Sequence, residues 1–218
     1  MGALPGHILV VDDNRLNRMK LARGLQQEGH TVAAEEDGRQ ALEMLRQEPY
    51  DLVLLDILMP EVDGYQVLEA MKQDSALREV PVIVISAVEE MDSVVRCIEM
   101  GAEDYLPKTF DPVLLRARTG ACLEKKRWRD QELEYLRQVD SLTDAALALE
   151  LGDFSAESLA AVAARPDALG HLGRVFQRMA GEIRAREERL QREVQALRIQ
   201  IDEGKKDRQV AEITDTDY

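Results

Sequence analysis

Four short apolar runs in the first half of the chain each end on a polar side chain. ILVV precedes Asp12 and Asp13, DLVLL ends at Asp56, VPVIVI leads to Ser86, and the weaker DYLP leads to Lys108. Continuous apolar runs of this length are typical of strands covered on both faces, as in a parallel α/β sheet. Such a sheet binds its ligand beyond the carboxyl ends of its strands. If the runs are neighbouring strands, three carboxylates, a hydroxyl and an ammonium converge on one small volume.

The pattern from residue 7 to about residue 123 alternates between strand-like runs and segments with helical periodicity. This alternation predicts βαβ units with right-handed crossovers, and hence a doubly wound, five-stranded parallel sheet. The fold class is therefore α/β in the first half. Strands are predicted near 7–12, 31–35, 51–56, 80–86 and 104–108, and helices near 15–28, 38–47, 65–73, 93–100 and 111–123.

After residue 123 no strand-like run follows, and Arg, Glu, Gln, Leu and Ala dominate. A helix is predicted over about 124–151, ending where Gly152, Asp153 and Ser155 break the pattern. A second long helix is predicted from Asp167, an N-cap candidate after a proline, to about residue 203. Gly204 then marks either a hinge or a solvated turn. The second half is thus predicted to be an all-α extension.

Two sets of apolar residues recur along this second long helix with spacings of four, three and four. An extra four residues offset the sets, which predicts two coiled-coil segments joined by a stutter. The alternative is one amphipathic helix folded back on the α/β domain. The first set is Leu172, Phe176, Met179 and Ile183, and the second is Leu190, Val194, Leu197 and Ile201.

Charge and composition exclude several classes of protein. The net charge of −14 argues against non-specific nucleic-acid binding and against docking on anionic membranes. Cys97 and Cys122 have no metal-ligand or CxxC spacing, so we expect reduced, non-ligating thiols. Neither a signal peptide nor a membrane-spanning run is found, and a cytoplasmic location is expected.

The predicted convergence of side chains suits phosphoryl chemistry. Asp12, Asp13 and Asp56 offer the hard oxygen ligands that Mg²⁺ prefers. Asp56 ends the most apolar run, so it is the candidate nucleophile for an aspartyl-phosphate. Lys108 and Ser86 would compensate the charge on the transferred group. Taken singly, each residue also fits a turn, a helix cap or a solvated strand end.

The segments ILVVDDN, LVLLDILMPEVDGYQVL, PVIVISA and GAEDYLPK resemble the receiver domain of two-component response regulators over about residues 6–123. The resemblance implies the flavodoxin-like receiver fold and phosphorylation of Asp56 by a histidine kinase or a phosphotransfer protein. It also implies that Asp13, Asp56 and the main-chain carbonyl of Leu58 ligate Mg²⁺ directly, while Asp12 acts through water.

The same resemblance implies that Ser86 and Lys108 bind the phosphoryl oxygens. It also implies that Tyr105 is the aromatic switch, which turns inward when Ser86 is drawn towards the phosphate; the alternative for Tyr105 is a half-buried strand tyrosine. Two features depart from the family pattern. Thr109 replaces the usual proline after the lysine, so the peptide bond between them is either trans or strained. The residues two past Asp56 and Ser86 are Leu58 and Val88, which are poor at orienting water, so slow self-dephosphorylation is expected.

A second resemblance covers Gly152, Leu159, Val162, the DALG segment at 167–170, and the apolar residues that follow. This segment is similar to a HAMP module, which is a parallel four-helix bundle formed by two chains. The helices would be 138–151 and 168–185, with Leu159 and Val162 in the connector, although Ala168 replaces the usual acidic residue. An unrelated helical hairpin is the alternative. The predicted domains are the receiver at 6–123, the connector at 124–185, and a coiled coil with a polar tail at 186–218.

The sequence thus predicts a non-enzymatic response regulator that relays phosphorylation through a dimeric helical connector to a partner or a downstream output domain. The expected partners are the phosphodonor protein and a second, parallel copy of the chain, with no nucleic acid and no membrane. The alternative is a stand-alone phosphate shuttle whose helical tail only dimerises.

Overall fold

The computed structural model describes residues 5–86, 91–152 and 154–214. The chain divides into two compact units, Met1–Glu132 and Leu133–Tyr218. The first unit contains a five-stranded sheet in the order β2-β1-β3-β4-β5, and every strand pair is parallel. The predicted doubly wound α/β fold is therefore confirmed. Its strands are β1 His7–Val11, β2 Thr31–Glu35, β3 Leu52–Asp56, β4 Val82–Ser86 and β5 Asp104–Pro107, and its helices are α1 Arg15–Gln27, α2 Gly38–Gln47, α3 Gly64–Gln73, α4 Met91–Glu99 and the start of α5 Pro112–Glu150.

The core consists of one apolar layer on each face of the sheet. In β1, Leu9 and Val11 belong to one layer, whereas Ile8 and Val10 belong to the other. Successive strand side chains point to opposite faces, so a fully buried strand must be apolar at every position. This is why β3 and β4 read as continuous apolar runs.

Local capping fixes where the helices start beside the sheet. The Asn14 side chain accepts hydrogen bonds from the backbone N–H groups of Leu16 and Asn17, so α1 begins directly after the acidic pair. Asp63 and Gln66 form a capping box at the start of α3. The first residue of α3 is Gly64, where a Cβ atom would lie 2.2 Å from the carbonyl oxygen of Asp56. Only glycine lets α3 approach the end of β3 this closely.

The second unit contains the end of α5, a 3₁₀ turn at Ala156–Leu159, and the helices α6 Ala160–Ala163 and α7 Ala168–Thr214. Asp167 accepts a hydrogen bond from the backbone N–H of Gly170 at 3.0 Å, as expected of an N-cap residue. The small apolar core of this unit comprises Ala145, Phe154, Leu159, Val162, Leu169 and Ala180. None of the helices in the described ranges has the length and apolarity needed to span a bilayer.

The long helices differ from the prediction in two places. Helix α5 continues past residue 123 without interruption, because no glycine or proline follows there to end it. Helix α7 also continues through Gly204 to Thr214. One glycine costs a helix only about 1 kcal/mol, and the neighbouring Glu and Lys residues are good helix formers. Asp153, Val88 and the last four residues of the predicted tail lie outside the described residues.

Candidate functional site

The carboxyl ends of four adjacent strands bring the predicted side chains to one edge of the sheet. Asp12 and Asp13 directly follow β1, and Asp56 is the last residue of β3. Ser86 ends β4 and is aligned with Pro107 of β5, so Lys108 follows on the neighbouring strand. Parallel register places all of these strand ends side by side.

Three carboxylates form a compact acidic cluster at this edge. One ligand atom each from Asp12, Asp13 and Asp56 lies within 4.8 Å of the other two. Asp12 and Asp56 are each 1% exposed, whereas Asp13 faces solvent. Like charges held this close destabilise each other unless a cation is nearby, and carboxylate oxygens are preferred ligands of Mg²⁺. The donor set therefore fits Mg²⁺.

Lys108 compensates part of this negative charge. Its Nζ donates to Asp56 Oδ2 at 2.5 Å and lies 3.3 Å from Asp12 Oδ2. Burial acts to lower the pKa of Lys108, but the hydrogen bonds and charges of the two aspartates outweigh it and raise the pKa above its usual value. The side chain therefore stays protonated at neutral pH.

Burial is the main influence on the Asp56 carboxyl. It raises the pKa of Asp56, and the negative charge of Asp12 adds to this increase, while the bond from Lys108 and the N–H of Leu58 oppose it. The Leu58 N–H donates to Asp56 Oδ1 at 3.2 Å. One carboxylate oxygen therefore faces a main-chain donor and the other faces the ammonium.

Helix α1 supports the acidic pair through residues that the sequence interpretation did not identify. The Asn14 backbone N–H donates to Asp12 Oδ1 at 2.8 Å, and Asn17 Nδ2 lies 3.3 Å from both oxygens of Asp12. Arg18 donates to the carbonyls of Asp12 and Asp13. Positions 14, 17 and 18 share one helix face, so the motif DDNRLNR contained a usable signal.

Tyr105 of β5 contacts Ser86, the last residue of β4. Ser86 is buried, and its carbonyl oxygen accepts hydrogen bonds from Tyr105 Oη at 3.3 Å and from the Lys108 N–H at 3.0 Å. Tyr105 is half-buried and packs against the core. The Tyr105 hydroxyl thus contacts the main chain of the residue predicted to bind phosphoryl oxygen.

The loop after Lys108 is held without the usual proline. The described residues contain no cis peptide bond, so the Lys108–Thr109 bond is trans. Phe110 is buried among the apolar residues of one face of the sheet, and Lys20 of α1 lies 4.5 Å from its ring centroid. Packing of Phe110 therefore anchors the loop that carries Lys108.

Comparisons with known proteins identify a family. The model of the response regulator receiver domain matches residues 8–119. The two-component response regulator ORR11 of Oryza sativa subsp. japonica is 38% identical over 112 residues, which is 51% of this chain and 76% of the relative. Response regulator MprA of Mycobacterium ulcerans is 38% identical over 125 residues, 57% of this chain and 53% of the relative.

Solved structures lead to the same family. A response regulator from Chloroflexus aurantiacus, described as putative, aligns with a TM-score of 0.54 at 28% identity, covering 56% of this chain and 99% of the other. The BeF3-activated receiver domain of DrrB aligns with a TM-score of 0.51 at 31% identity, covering 56% and 99% respectively. Receiver domains bind Mg²⁺ at an acidic pocket of the kind that Asp12, Asp13 and Asp56 form here.

Proposed function

The chain belongs to the response regulator receiver domain family, and from this premise we propose that Asp56 accepts a phosphoryl group from a histidine kinase or a phosphotransfer protein. The observation that carries the proposal is the placement of Asp56. It ends the central strand, its carboxylate is buried, and it meets two further carboxylates and one ammonium. We also propose that the chain is located in the cytoplasm, where such phosphodonor proteins act.

The metal would be held by Asp13, Asp56 and the main-chain carbonyl of Leu58, with Asp12 acting through water. When bound, Mg²⁺ neutralises part of the charge on the phosphoryl oxygens. The three carboxylates gathered within 4.8 Å support this assignment. A cation relieves their mutual repulsion, so binding also stabilises the fold.

In the transfer step, an Asp56 carboxylate oxygen attacks the phosphorus of a phosphohistidine. The new O–P bond forms as the N–P bond breaks, and the imidazole leaves with the electron pair of that bond. Lys108 exchanges its bond to Asp56 Oδ2 for a bond to a phosphoryl oxygen, and the Ser86 hydroxyl donates to another. Both groups thereby stabilise charge on the transferred group.

The same bonds would change the surface next to the site. When Ser86 moves toward the phosphoryl group, its carbonyl no longer lies where the Tyr105 hydroxyl contacts it, and the Tyr105 ring turns inward. The bond of 3.3 Å between Tyr105 Oη and the Ser86 carbonyl supports this coupling. Leu58, whose side chain is 58% exposed, offers no polar group to orient water beside Asp56. We therefore propose slow loss of the phosphoryl group from the isolated protein.

The second unit is proposed to be a HAMP-like connector. In support, the two residues assigned to the connector are buried, with Leu159 at 0% and Val162 at 2% exposure. Gly170 packs so closely on the preceding segment that a Cβ atom would lie 2.1 Å from the Arg165 carbonyl oxygen. A tightly packed connector beside two helices is the arrangement that the resemblance implies. The domain limits 6–123, 124–185 and 186–218 belong to this proposal.

A second, parallel copy of the chain is the proposed partner of α7. Leu190, Val194, Leu197 and Ile201 are each between 50% and 56% exposed, although they repeat with coiled-coil spacing. Isolated helices in water are marginal, so an apolar stripe at this spacing favours pairing with another helix. Phosphorylation would bias this dimer and be read by a partner or a downstream output domain. If it leaves the dimer unchanged, the phosphate-shuttle alternative is favoured.

The central experiment is mass spectrometry after incubation with acetyl phosphate and Mg²⁺. The native chain should gain one phosphoryl group and Asp56→Asn should gain none. Modification of the variant to the same extent would refute Asp56 as the acceptor.

Sedimentation of the full chain tests the dimer. Leu197→Glu should dissociate it, whereas Gln195→Glu, an added charge off the stripe, should not. A monomeric native chain would refute the coiled-coil pairing.

A further inference from the structure

Arg18 is an unusually enclosed charged residue beside the acidic cluster. It lies on α1 shortly after the acidic pair, and only 14% of its side chain is exposed. Charged side chains are rarely this buried unless their donors are satisfied. Its hydrogen-bond partners lie in the turn after β1 and in the segment that follows β2.

The guanidinium binds three acceptors at once. Nη1 donates to the main-chain carbonyls of Asp12 at 2.7 Å and of Asp13 at 3.0 Å. Nη2 donates to Glu36 Oε2 at 2.8 Å. Glu36 follows β2, and the Asp12 N–H already bonds to the carbonyl of Glu35 at 3.2 Å. Arg18 therefore ties the turn after β1 both to its own helix and to the end of β2.

We propose that Arg18 is a positioning residue for the Mg²⁺ site, which holds the main chain of Asp12 and Asp13 so that their carboxylates converge with Asp56. This inference rests on the proposed function. The main-chain carbonyls of both aspartates are fixed by one rigid group, which limits the rotation of the turn that carries their side chains. Residues that hydrogen-bond to metal-ligating side chains commonly change metal affinity 10- to 100-fold when they are replaced, and we expect Arg18, which binds the main chain of the ligands, to act at the lower end of that range.

The residue type matters because two different nitrogens of the guanidinium reach the three acceptors. A planar guanidinium presents donors from two nitrogens in fixed directions, whereas a lysine ammonium is a single point on a flexible chain. Lysine at position 18 would keep the positive charge near the carboxylates but would not bridge Asp12, Asp13 and Glu36. Geometry and charge can therefore be separated by experiment.

The test is isothermal titration of the full chain with MgCl₂ and no phosphodonor. The variants are Arg18→Met, which removes both charge and bonds, and Arg18→Lys, which keeps the charge. Arg23→Met and Arg23→Lys are the matched controls, because Arg23 is an exposed arginine on the same helix. Titrations are run below the melting temperature of every variant, so a purely structural role would lower the melting temperature and leave the dissociation constant unchanged.

Both Arg18 variants should bind Mg²⁺ about tenfold more weakly than the native chain, while the Arg23 controls bind normally. Loss of a positive charge beside a cation site would by itself strengthen Mg²⁺ binding, so weaker binding cannot come from charge. Native affinity in Arg18→Lys would show that an ammonium suffices and overturn the positioning role of the guanidinium, and native affinity in Arg18→Met would overturn the inference altogether. A native chain that does not bind Mg²⁺ would overturn the proposed function as well.

Glu36→Gln provides a variant that should fold in any case, because Glu36 is exposed. It leaves the two carbonyl bonds of Arg18 in place and removes the ionic one. An exposed ion pair is weak, so the loss of Mg²⁺ affinity should be about two- to fivefold. If Arg18→Met does not fold, an unchanged dissociation constant in Glu36→Gln or native affinity in Arg18→Lys would overturn the proposal.

Discussion

Asp13→Asn should make the metal-free protein more stable while removing its response to Mg²⁺. The substitution keeps the size of the side chain and deletes one of three carboxylates whose ligand atoms lie within 4.8 Å of one another. At this distance two unit charges repel by about 1 kcal/mol in water and by about 3.5 kcal/mol at an effective dielectric constant of 20. Asp13 faces solvent, so the lower figure applies to each of its two pairs.

Lys108 offsets part of this repulsion, because its ammonium lies beside Asp12 and Asp56. The expected net gain for Asp13→Asn is therefore about 1 kcal/mol in the free energy of unfolding. The assay is urea unfolding followed by circular dichroism, in EDTA and again with Mg²⁺. The native chain should be stabilised by Mg²⁺, and the variant should respond much less.

Asp140→Asn is the matched control, because Asp140 is an exposed aspartate on α5 that is not a member of the cluster. It should change stability by no more than about 0.5 kcal/mol and keep the full response to Mg²⁺. A destabilised Asp13→Asn in EDTA, or an undiminished response to Mg²⁺, would refute the view that this cluster is strained by repulsion and relieved by a cation.

Three further predictions concern the first unit. Gly64→Ala should lower the free energy of unfolding in urea by about 3 kcal/mol or more, because the new Cβ would lie 2.2 Å from the Asp56 carbonyl oxygen. Gly120→Ala, whose Cβ would meet nothing within 4 Å, should raise it by about 0.5–1 kcal/mol. Equal effects of the two substitutions would contradict the close approach of α3 to β3. Burial lowers the pKa of His30 below its ordinary value of 6.5, so the unfolded chain binds a proton more readily than the folded chain does. The free energy of unfolding should therefore fall as the pH drops from about 7 to 5. His30→Gln should lack this contribution to the pH dependence. Cys97 and Cys122 are buried, and burial raises the pKa of both thiols, that of Cys122 to about 12. Iodoacetamide should therefore label both residues only after the chain unfolds. Rapid labelling of the native chain would contradict their enclosure.

Local patterns were sufficient to predict the sheet. Strands β3 and β4 are apolar at every position before their last residue, and no amphipathic helix has that pattern. Once the strands are parallel, their carboxyl ends share one edge, and the strand order β1-β3-β4-β5 then brings Asp12, Asp56 and Lys108 together. The prediction needed no knowledge of side-chain packing, only the direction of the strands and the assumption that they are neighbours.

The support for the acidic pair could not be predicted in the same way. Arg18 and Glu36 are brought together only by the packing of α1 and β2 against β1. The sequence shows an arginine on a helix, which more often faces solvent than binds two main-chain carbonyls. Its role depends on distances between segments that local periodicity does not encode.

The basic run KKRWR in α5 illustrates the same limit. As a pattern it is a cluster of positive charge, yet its side chains bind the segments that precede four different strands within the first unit. The pairs are Lys125 with Glu103, Lys126 with Asp51, Arg127 with the Pro5 carbonyl, and Arg129 with Glu79.

The sequence by itself determined which segments are strands and which chemical groups stand at the strand ends, because periodicity and chain direction are local properties. Only the tertiary structure decided which acceptors the arginines and lysines bind and how closely α3 approaches Asp56. Those contacts join residues far apart along the chain, and they are set by how helices and sheet pack together into one core.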